Sequence, residues 1–510
     1  MDFTATYRHS ARECIAFSPG STFIAYVGGT RGNHVLVRVT GTLQVVRSWD
    51  LDQPLQSLSW SRDGLFLLVS AHAARKEQGV SYVLPLDPDA SVADGSDDGQ
   101  GWVAKLDAGP PGLHSASWLP VWRIPAVVQF SQFGIRAVVN SLVDQALFVV
   151  PHAHPICVYI LTVLASAAWP EHYGMVQRVN ECDYIVLFRA ANAHAPNLDA
   201  PVEWVRDRAI RLHTRNISDV LWSPDGNYLC AWEQPLEYKL YVHALSGAHL
   251  ATFQQVNGAT ETVVAHGALA GRSSLRSSQS NPISSGTLGI RKVAWHPSSQ
   301  FLAIGGFDEA VRILASTDWM EAYTFDLSGR IVRATVWTEP RHWFEATGGC
   351  SIVNCVYTRL PVEQVASPVE LHAAANDLNE MPRVGISELS WNADGSFLAV
   401  VNEAVPTAVF IFSFNLGEGI FLTAVLHLST PVCTLAWSPK GDSLAVACST
   451  SAVYIWNEVS PEAVAVPNST LPLTDGFTTQ RVEWSQDGRA LLLVAPSAFC
   501  CAISSDQDTP

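Results

Sequence analysis

Val220-Leu-Trp222-Ser-Pro-Asp-Gly226-Asn-Tyr228-Leu is the stretch that decides the fold. An apolar alternation ends in tryptophan, a Ser-Pro-Asp-Gly turn follows, and an aromatic opens a second apolar run. Period-two alternation buries one face of a strand, while Pro and Asp-Gly supply the backbone angles of a tight reversal. The phrase therefore encodes two strands folded back on each other. It recurs as Cys14-Ile-Ala-Phe17-Ser-Pro-Gly20, as Leu58-Ser-Trp60-Ser-Arg-Asp-Gly64 and as Val293-Ala-Trp295-His-Pro-Ser-Ser. Later copies are Leu389-Ser-Trp391-Asn-Ala-Asp-Gly395, Leu435-Ala-Trp437-Ser-Pro-Lys-Gly441 and Val482-Glu-Trp484-Ser-Gln-Asp-Gly488.

In several copies a third strand follows, as in Val311-Arg-Ile313-Leu and Val453-Tyr-Ile455-Trp456-Asn457. The second resembles a strand bearing the Trp-Asp signature, and a literal Trp49-Asp50 stands near the end of the first unit. Four such strands make one propeller blade, and stacking blades buries their faces. The expected fold is all-β, a WD40-type β-propeller. Marker aromatics from Phe17 to Trp60, Trp391 to Trp437 and Trp437 to Trp484 are 43, 46 and 47 residues apart, one blade each. Trp118 marks a degenerate copy. The longer gap from Trp118 to Trp222 leaves room for a cryptic blade using Asp183–Phe188. The gap from Trp295 to Trp391 leaves room for another using Ser351–Tyr357. The expectation is nine to ten blade-like units, in two propellers or one oversized ring. Residues 1–257 and 287–510 are read as N- and C-terminal sets of blades. Between them, 258–286 contains the Ser-rich run Gly271–Ser280 and is read as a disordered insert. The apolar strand Phe499–Ile503 is expected to close the ring or to pack its last edge.

Composition supports this. Of 510 residues 48% are hydrophobic and only 15% charged, with 17 tryptophans, which suits many half-buried strands better than solvated helices. The net charge of −16 repels phosphate backbones, and no cluster of Lys and Arg large enough to offset it stands out, so nucleic acid is not the expected partner. The opening Met1-Asp2-Phe3-Thr4 lacks signal-peptide character, and the most apolar run, Ile156–Trp169, falls short of a bilayer span. No membrane partner is expected. Ten cysteines occur without a C-x-x-C pair or zinc spacing, and Cys14, Cys230, Cys433 and Cys448 sit in apolar runs. These features point to a protein of a reducing compartment that holds no metal.

Enzymatic motifs are not found. Gly28-Gly29-Thr30-Arg31-Gly32 lacks the Gly-Lys-Ser ending of a phosphate loop, His152 and His154 lack a third ligand, and neither G-x-S-x-G nor H-E-x-x-H occurs. No catalytic residue and no cofactor is assigned. Ser273, Ser274, Ser277 and Ser278, beside Arg272 and Arg276, are candidate phosphosites in the Ser-rich run.

The blade at Trp222 continues Cys230-Ala-Trp232-Glu-Gln-Pro-Leu236-Glu237-Tyr238-Lys239. This run resembles the WRAP-type (Wdr-eight) family of centrosomal WD-repeat proteins. So do Ile290-Arg-Lys-Val-Ala-Trp295-His-Pro, Lys105-Leu-Asp-Ala-Gly109 and Pro382-Arg-Val-Gly385-Ile386. The likeness runs nearly end to end, weakening between Val121 and Tyr173 and breaking at 258–286. It implies a spindle-pole scaffold in the cytoplasm and cytoskeleton, binding a coiled-coil adaptor and, in fungi, a minus-end-directed kinesin. Trp232, Leu236, Glu237, Tyr238 and Lys239 are the candidate partner-binding residues. Leu236–Lys239 is expected on a loop between a blade's second and third strands, with Tyr238 either an exposed interface anchor or a packing residue that fixes the turn. A ribosome-binding propeller of the translation-initiation type is the alternative, as is a propeller enzyme with a channel site.

Overall fold

The computed structural model describes residues 2–10, 14–72, 79–87, 103–109, 112–119, 126–132, 136–141, 146–151, 153–160, 172–190, 204–256, 259–264, 289–327, 334–339, 354–356, 358–360, 384–415, 419–459, 461–466 and 476–504. Among them are 41 strands and one short 3-10 turn, arranged as nine sheets. The fold is a WD40-type β-propeller fold with nine blades, numbered here in chain order.

The chain divides into two compact units. The first, Arg8–Arg215 with Val220–Asn227, holds four blades. Blade 1 covers Ile15–Asp50, blade 2 Ser57–Asp107, blade 3 Leu113–Pro151 and blade 4 Ala153–Arg211. The second unit, Tyr228–Pro510 with Met1–Tyr7 and Asn216–Asp219, holds the rest. Blade 5 covers Ile217–Val264, blade 6 Ile290–Asp326, blade 7 Ile386–His427, blade 8 Thr434–Ala465 and blade 9 Arg481–Ile503. The division runs through the first strand of blade 5, Ile217–Trp222, whose Val220–Trp222 group with the first unit. The Ser-rich run Gly271–Ser280 lies outside the described residues, and with it Ser273, Ser274, Ser277 and Ser278. Within 258–286, Ala259–Val264, rich in β-branched residues, is a fifth strand pairing with His249–Val256.

The cores lie between neighbouring blades. Leu67, Val69, Tyr82 and Leu84 of blade 2 pack with Val27, Val35 and Val37 of blade 1. Phe130 and Val139 of blade 3 meet Tyr173, Met175 and Val186 of blade 4. In the second unit Val311 and Ile313 of blade 6 meet Leu398, Val400 and Phe410 of blade 7. Blades 7 and 8 share Val409, Ile411, Val446 and Tyr454, and blades 8 and 9 share Val453, Val464, Leu491 and Leu493. Full burial of each such side chain is worth about 1.5–3 kcal/mol, so each blade is stable chiefly against its neighbour.

The recurring phrase has two structural uses. In four blades the tryptophan donates Nε1–H to the carbonyl just before the marker aromatic of the preceding blade. Trp60 reaches Ala16 at 3.2 Å, Trp118 reaches Ser59 at 3.3 Å, Trp437 reaches Ser390 at 3.0 Å and Trp484 reaches Ala436 at 3.0 Å. Its turn closes on itself. Ser61 Oγ donates to Asp63 Oδ1, which also accepts from the Leu65 amide, and the Phe66 amide donates to Ser61 Oγ. Gly64 holds a φ of 73°, a left-handed conformation that favours glycine. Ser485, Asp487 and Gly488 repeat this arrangement, and the Ser485 hydroxyl holds the Asp487 carboxyl below the usual carboxylate range.

Of the two cryptic units, one is a blade: Asp183–Phe188 lies in the third strand of blade 4. Among the described residues the other does not form a sheet of its own. Thr335–Thr338 adds to blade 7 in parallel with Gly419–His427, and Thr358–Leu360 pairs outside it. Asn354–Val356 pairs instead with Glu462–Ala465 of blade 8. Strands of three and four residues are too short to bury a face of their own, so they extend neighbouring blades. The terminal strand Ala498–Ile503 lies inside blade 9. It pairs with Ala490–Val494 on one side and Asp2–Phe3 on the other, so the two ends of the chain build one sheet. Burial pushes the Cys500 and Cys501 thiols far up, which keeps both protonated as small apolar groups.

Candidate partner-binding surface

The candidate residues sit where blade 5 turns from its second strand, Tyr228–Glu233, into its third, Lys239–Ala244. That is the expected loop. Gln234 anchors its start, its amide donating to the Asn216 carbonyl and its side chain to the Ile217 carbonyl. The Glu237 amide closes a turn on the Gln234 carbonyl at 3.0 Å. The Gly289 amide donates to Pro235 O at 2.6 Å, and a Cβ at Gly289 would stand 2.4 Å from Glu237 O. Only glycine permits that approach, and it fastens the loop to the start of blade 6.

Tyr238 is not exposed, which corrects one of the two roles open to it. It is 6% exposed, its ring meets Phe253 edge-on at 6.0 Å, and its hydroxyl accepts from Arg312 Nη1 at 2.6 Å. Arg312 in turn grips Asp308 through both terminal nitrogens, at 3.2 and 2.6 Å. Burial pushes the Tyr238 phenol far above its ordinary range, so it stays neutral. Burial works against the Arg312 cation, but Tyr238 and Asp308 outweigh it and the guanidinium stays charged. Tyr238 is thus the packing residue that joins blade 5 to blade 6, because an alternating strand points it inward beside Leu240. Trp232 is interior too. What faces solvent is Leu236, 85% exposed, flanked by the half-buried pair Glu237–Lys239 with Nζ to Oε2 at 2.7 Å. The loop presents one apolar side chain on a base locked to two blades. Such a preorganised tip loses little entropy on binding.

Sequence reading missed a second feature. Six of the 31 basic residues fall between Arg178 and Arg215, and blade 4 gathers them. Its outer strand Trp204–Arg211 pairs with Cys182–Ala190 so that Arg206 lies opposite Phe188, Arg208 opposite Leu187, Arg211 opposite Tyr184 and Val205 opposite Arg189. All four arginines are exposed, as are Val205 and Val179. Arg178 holds the buried Asp183 with two bonds of 2.8 and 3.0 Å and also donates to the Arg215 carbonyl. The signal available in the sequence was the spacing Arg206, Arg208, Arg211, but it reads as a surface only once the strand is placed. Among the described residues no group of His, Cys, Asp or Glu is placed to hold a metal ion, and no helix is long and apolar enough to cross a membrane.

These blades, with their tryptophan and Ser-Asp-Gly locks and exposed loop tips, define a WD-repeat β-propeller protein, a fold that serves as a protein-binding scaffold. The family model "WD domain, G-beta repeat" matches residues 279–313 and 422–457. The chain is 26% identical to the WD repeat-containing protein WRAP73 of Mus musculus, over 98% of this chain and 95% of the mouse protein. An uncharacterized WD repeat-containing protein of Schizosaccharomyces pombe is 20% identical, over 95% of this chain and 88% of its own length. The crystal structure of Chaetomium thermophilum Sqt1 matches with a TM-score of 0.49 at 12% identity, covering 99% of this chain and 98% of that one. The chain is thus similar to a WRAP-type WD-repeat protein along nearly its whole length.

Proposed function

We propose that this protein is a non-enzymatic scaffold of the spindle pole body or centrosome. It binds a coiled-coil adaptor and a minus-end-directed kinesin, anchors microtubule minus ends and so organises the mitotic spindle. The observation that carries this reading is the end-to-end similarity to WRAP73, which spans nearly all of both chains. The surface that suits the adaptor is the Leu236 tip. An apolar side chain on a rigid loop fits between apolar positions of a helical partner, and Glu237 and Lys239 supply a charged rim.

Imaging the tagged full-length chain through mitosis tests the proposal. Foci at both spindle poles, with the adaptor and kinesin recovered on purification of the tagged chain, are expected. A diffuse signal together with co-sedimentation with ribosomes would favour the translation-type alternative and contradict the proposal.

A further inference from the structure

We propose that Leu236 is one of two apolar anchors, the second being Phe307 on the matching loop of blade 6. Together they seat a single amphipathic helix whose apolar residues recur every seven positions. This rests on the spindle-pole reading, because it takes that helix to belong to the coiled-coil adaptor. Phe307 stands where blade 6 turns from its second strand, Phe301–Gly306, into its third, Ala310–Ala315, as Leu236 does in blade 5. Gly289 lies between the two turns and bonds to both. Its amide donates to the Pro235 carbonyl at 2.6 Å, and its carbonyl accepts from the Phe307 amide at 3.1 Å. On the far side Gly385, at φ 91°, lies so close that a Cβ there would stand 2.6 Å from the Phe307 Cα. The Gly385 carbonyl accepts from the Glu403 amide at 3.0 Å. The Phe307 backbone is therefore held from both sides, like the Leu236 loop. Its ring is half-buried, with the Arg291 guanidinium over it at 5.3 Å and Arg291 paired to Glu403 at 2.5 Å. Each apolar anchor is thus flanked by an acid–base pair, Glu237–Lys239 for Leu236 and Arg291–Glu403 for Phe307.

Spacing decides the occupant. Hydrogen-bonded chains lie ~4.8 Å apart, so two such steps set the Phe307 turn about 10 Å from the Leu236 turn. A helix rises about 10.5 Å over seven residues, and residues seven apart return to the same face. A heptad-patterned helix therefore offers an apolar side chain to each anchor in turn. An extended strand covers the same distance in about three residues, and residues three apart point to opposite faces. It could fill one anchor and would turn away from the other. The flanking acid–base pairs match the mixed charges that border the apolar seam of such a helix.

The test uses the tagged full-length chain in dividing cells, with a photoreactive benzophenone side chain in place of Leu236 or, separately, of Phe307. Crosslinked peptides are sequenced after purification. Both positions are expected to capture one coiled-coil polypeptide, at residues about seven apart, with one helical turn of play for the reach of the probe. Phe307→Glu is expected to cut recovery of that polypeptide roughly tenfold at an unchanged melting temperature. The crosslinking arm stands even if that variant misfolds. Capture from position 236 alone, capture of two different polypeptides, or residues outside that spacing would overturn the second anchor and leave the Leu236 reading in place. So would normal recovery with Phe307→Glu in a folded chain. Capture of no coiled-coil polypeptide from either position would contradict the underlying reading and this inference together.

Discussion

Blade 8 and blade 4 each build a core of four antiparallel strands by different means. Blade 8 carries the whole phrase: Trp437 donates to Ser390 of blade 7, stacks on Phe397 at 6.2 Å and meets Trp456 edge-on at 6.0 Å. Its turn is closed by Ser438 and by Gly441, whose φ is 81°. Blade 4 has no Ser-Asp-Gly turn in its sequence, its Trp169-Pro170 lies outside the described residues, and Trp204 only opens its last strand. Its core is made by Tyr173, stacked on Phe188 at 4.9 Å, with Met175 and Val186. Its central hairpin reverses through Asn180 and Glu181, both left-handed at φ 49° and 63°, between the paired residues Val179 and Cys182. The apolar alternation is what the two share, so alternation builds the blade and the phrase adds locks between blades.

If that is right, the burial in blade 4 is as important as in any marked blade. Tyr173→Ala, at a site with no exposure, should destabilise the protein by about 4 kcal/mol. Chemical denaturation reads it, and a loss under about 1 kcal/mol would mean blade 4 is loosely packed and the comparison fails. Trp437→Phe keeps most of the packing and removes the bond to Ser390. It should cost about 1.5 kcal/mol, and an unchanged midpoint would deny the tryptophan its role as a lock. Glu181→Gly relieves the left-handed strain in the blade 4 turn and should raise stability by about 1 kcal/mol, visible as a higher melting temperature.

The smallest effect concerns pH. In blade 6 the place of the turn serine is taken by His296, whose ring contacts Ser298 Oγ at 2.8 Å and Gly395 O at 3.1 Å. Burial lowers its pKa below the ordinary 6.5, against the opposing pull of the Gly395 carbonyl and Asp394. The unfolded chain therefore takes up the proton first, and stability falls as pH drops through about 6.5. His249 and His427 are lowered by burial as well and act in the same sense. His296→Asn should flatten the fall in melting temperature between neutral and mildly acid pH, and an unchanged slope would assign it to the other two.

The fold was readable because its signal repeats. Seven copies of one phrase placed seven blades, and the aromatic spacing left room for the others. What stayed hidden depends on three-dimensional neighbours. Tyr238 looks like a surface residue in Leu236-Glu-Tyr-Lys, because nothing local reveals Arg312, 74 residues away, waiting for its hydroxyl. Of Ser351–Tyr357, the described Asn354–Val356 extends blade 8, because sheet extension and sheet formation look alike over a few residues. The blade 4 arginines are scattered along the chain and come onto one strand pair only through register.

One loop carries two tasks on the proposed reading: Tyr238 holds two blades together, and Leu236 is proposed to meet the partner. Leu236→Glu and Tyr238→Phe, each in the tagged full-length chain, separate these roles when melting and adaptor recovery are measured side by side. Leu236→Glu should leave the melting temperature within about 1 °C and abolish co-purification of the coiled-coil adaptor. Tyr238→Phe, which strips Arg312 of its hydroxyl partner, should lower stability by about 1–3 kcal/mol while the folded fraction still recovers the adaptor. Full adaptor recovery with Leu236→Glu, at normal melting, would contradict the account and move the interface elsewhere.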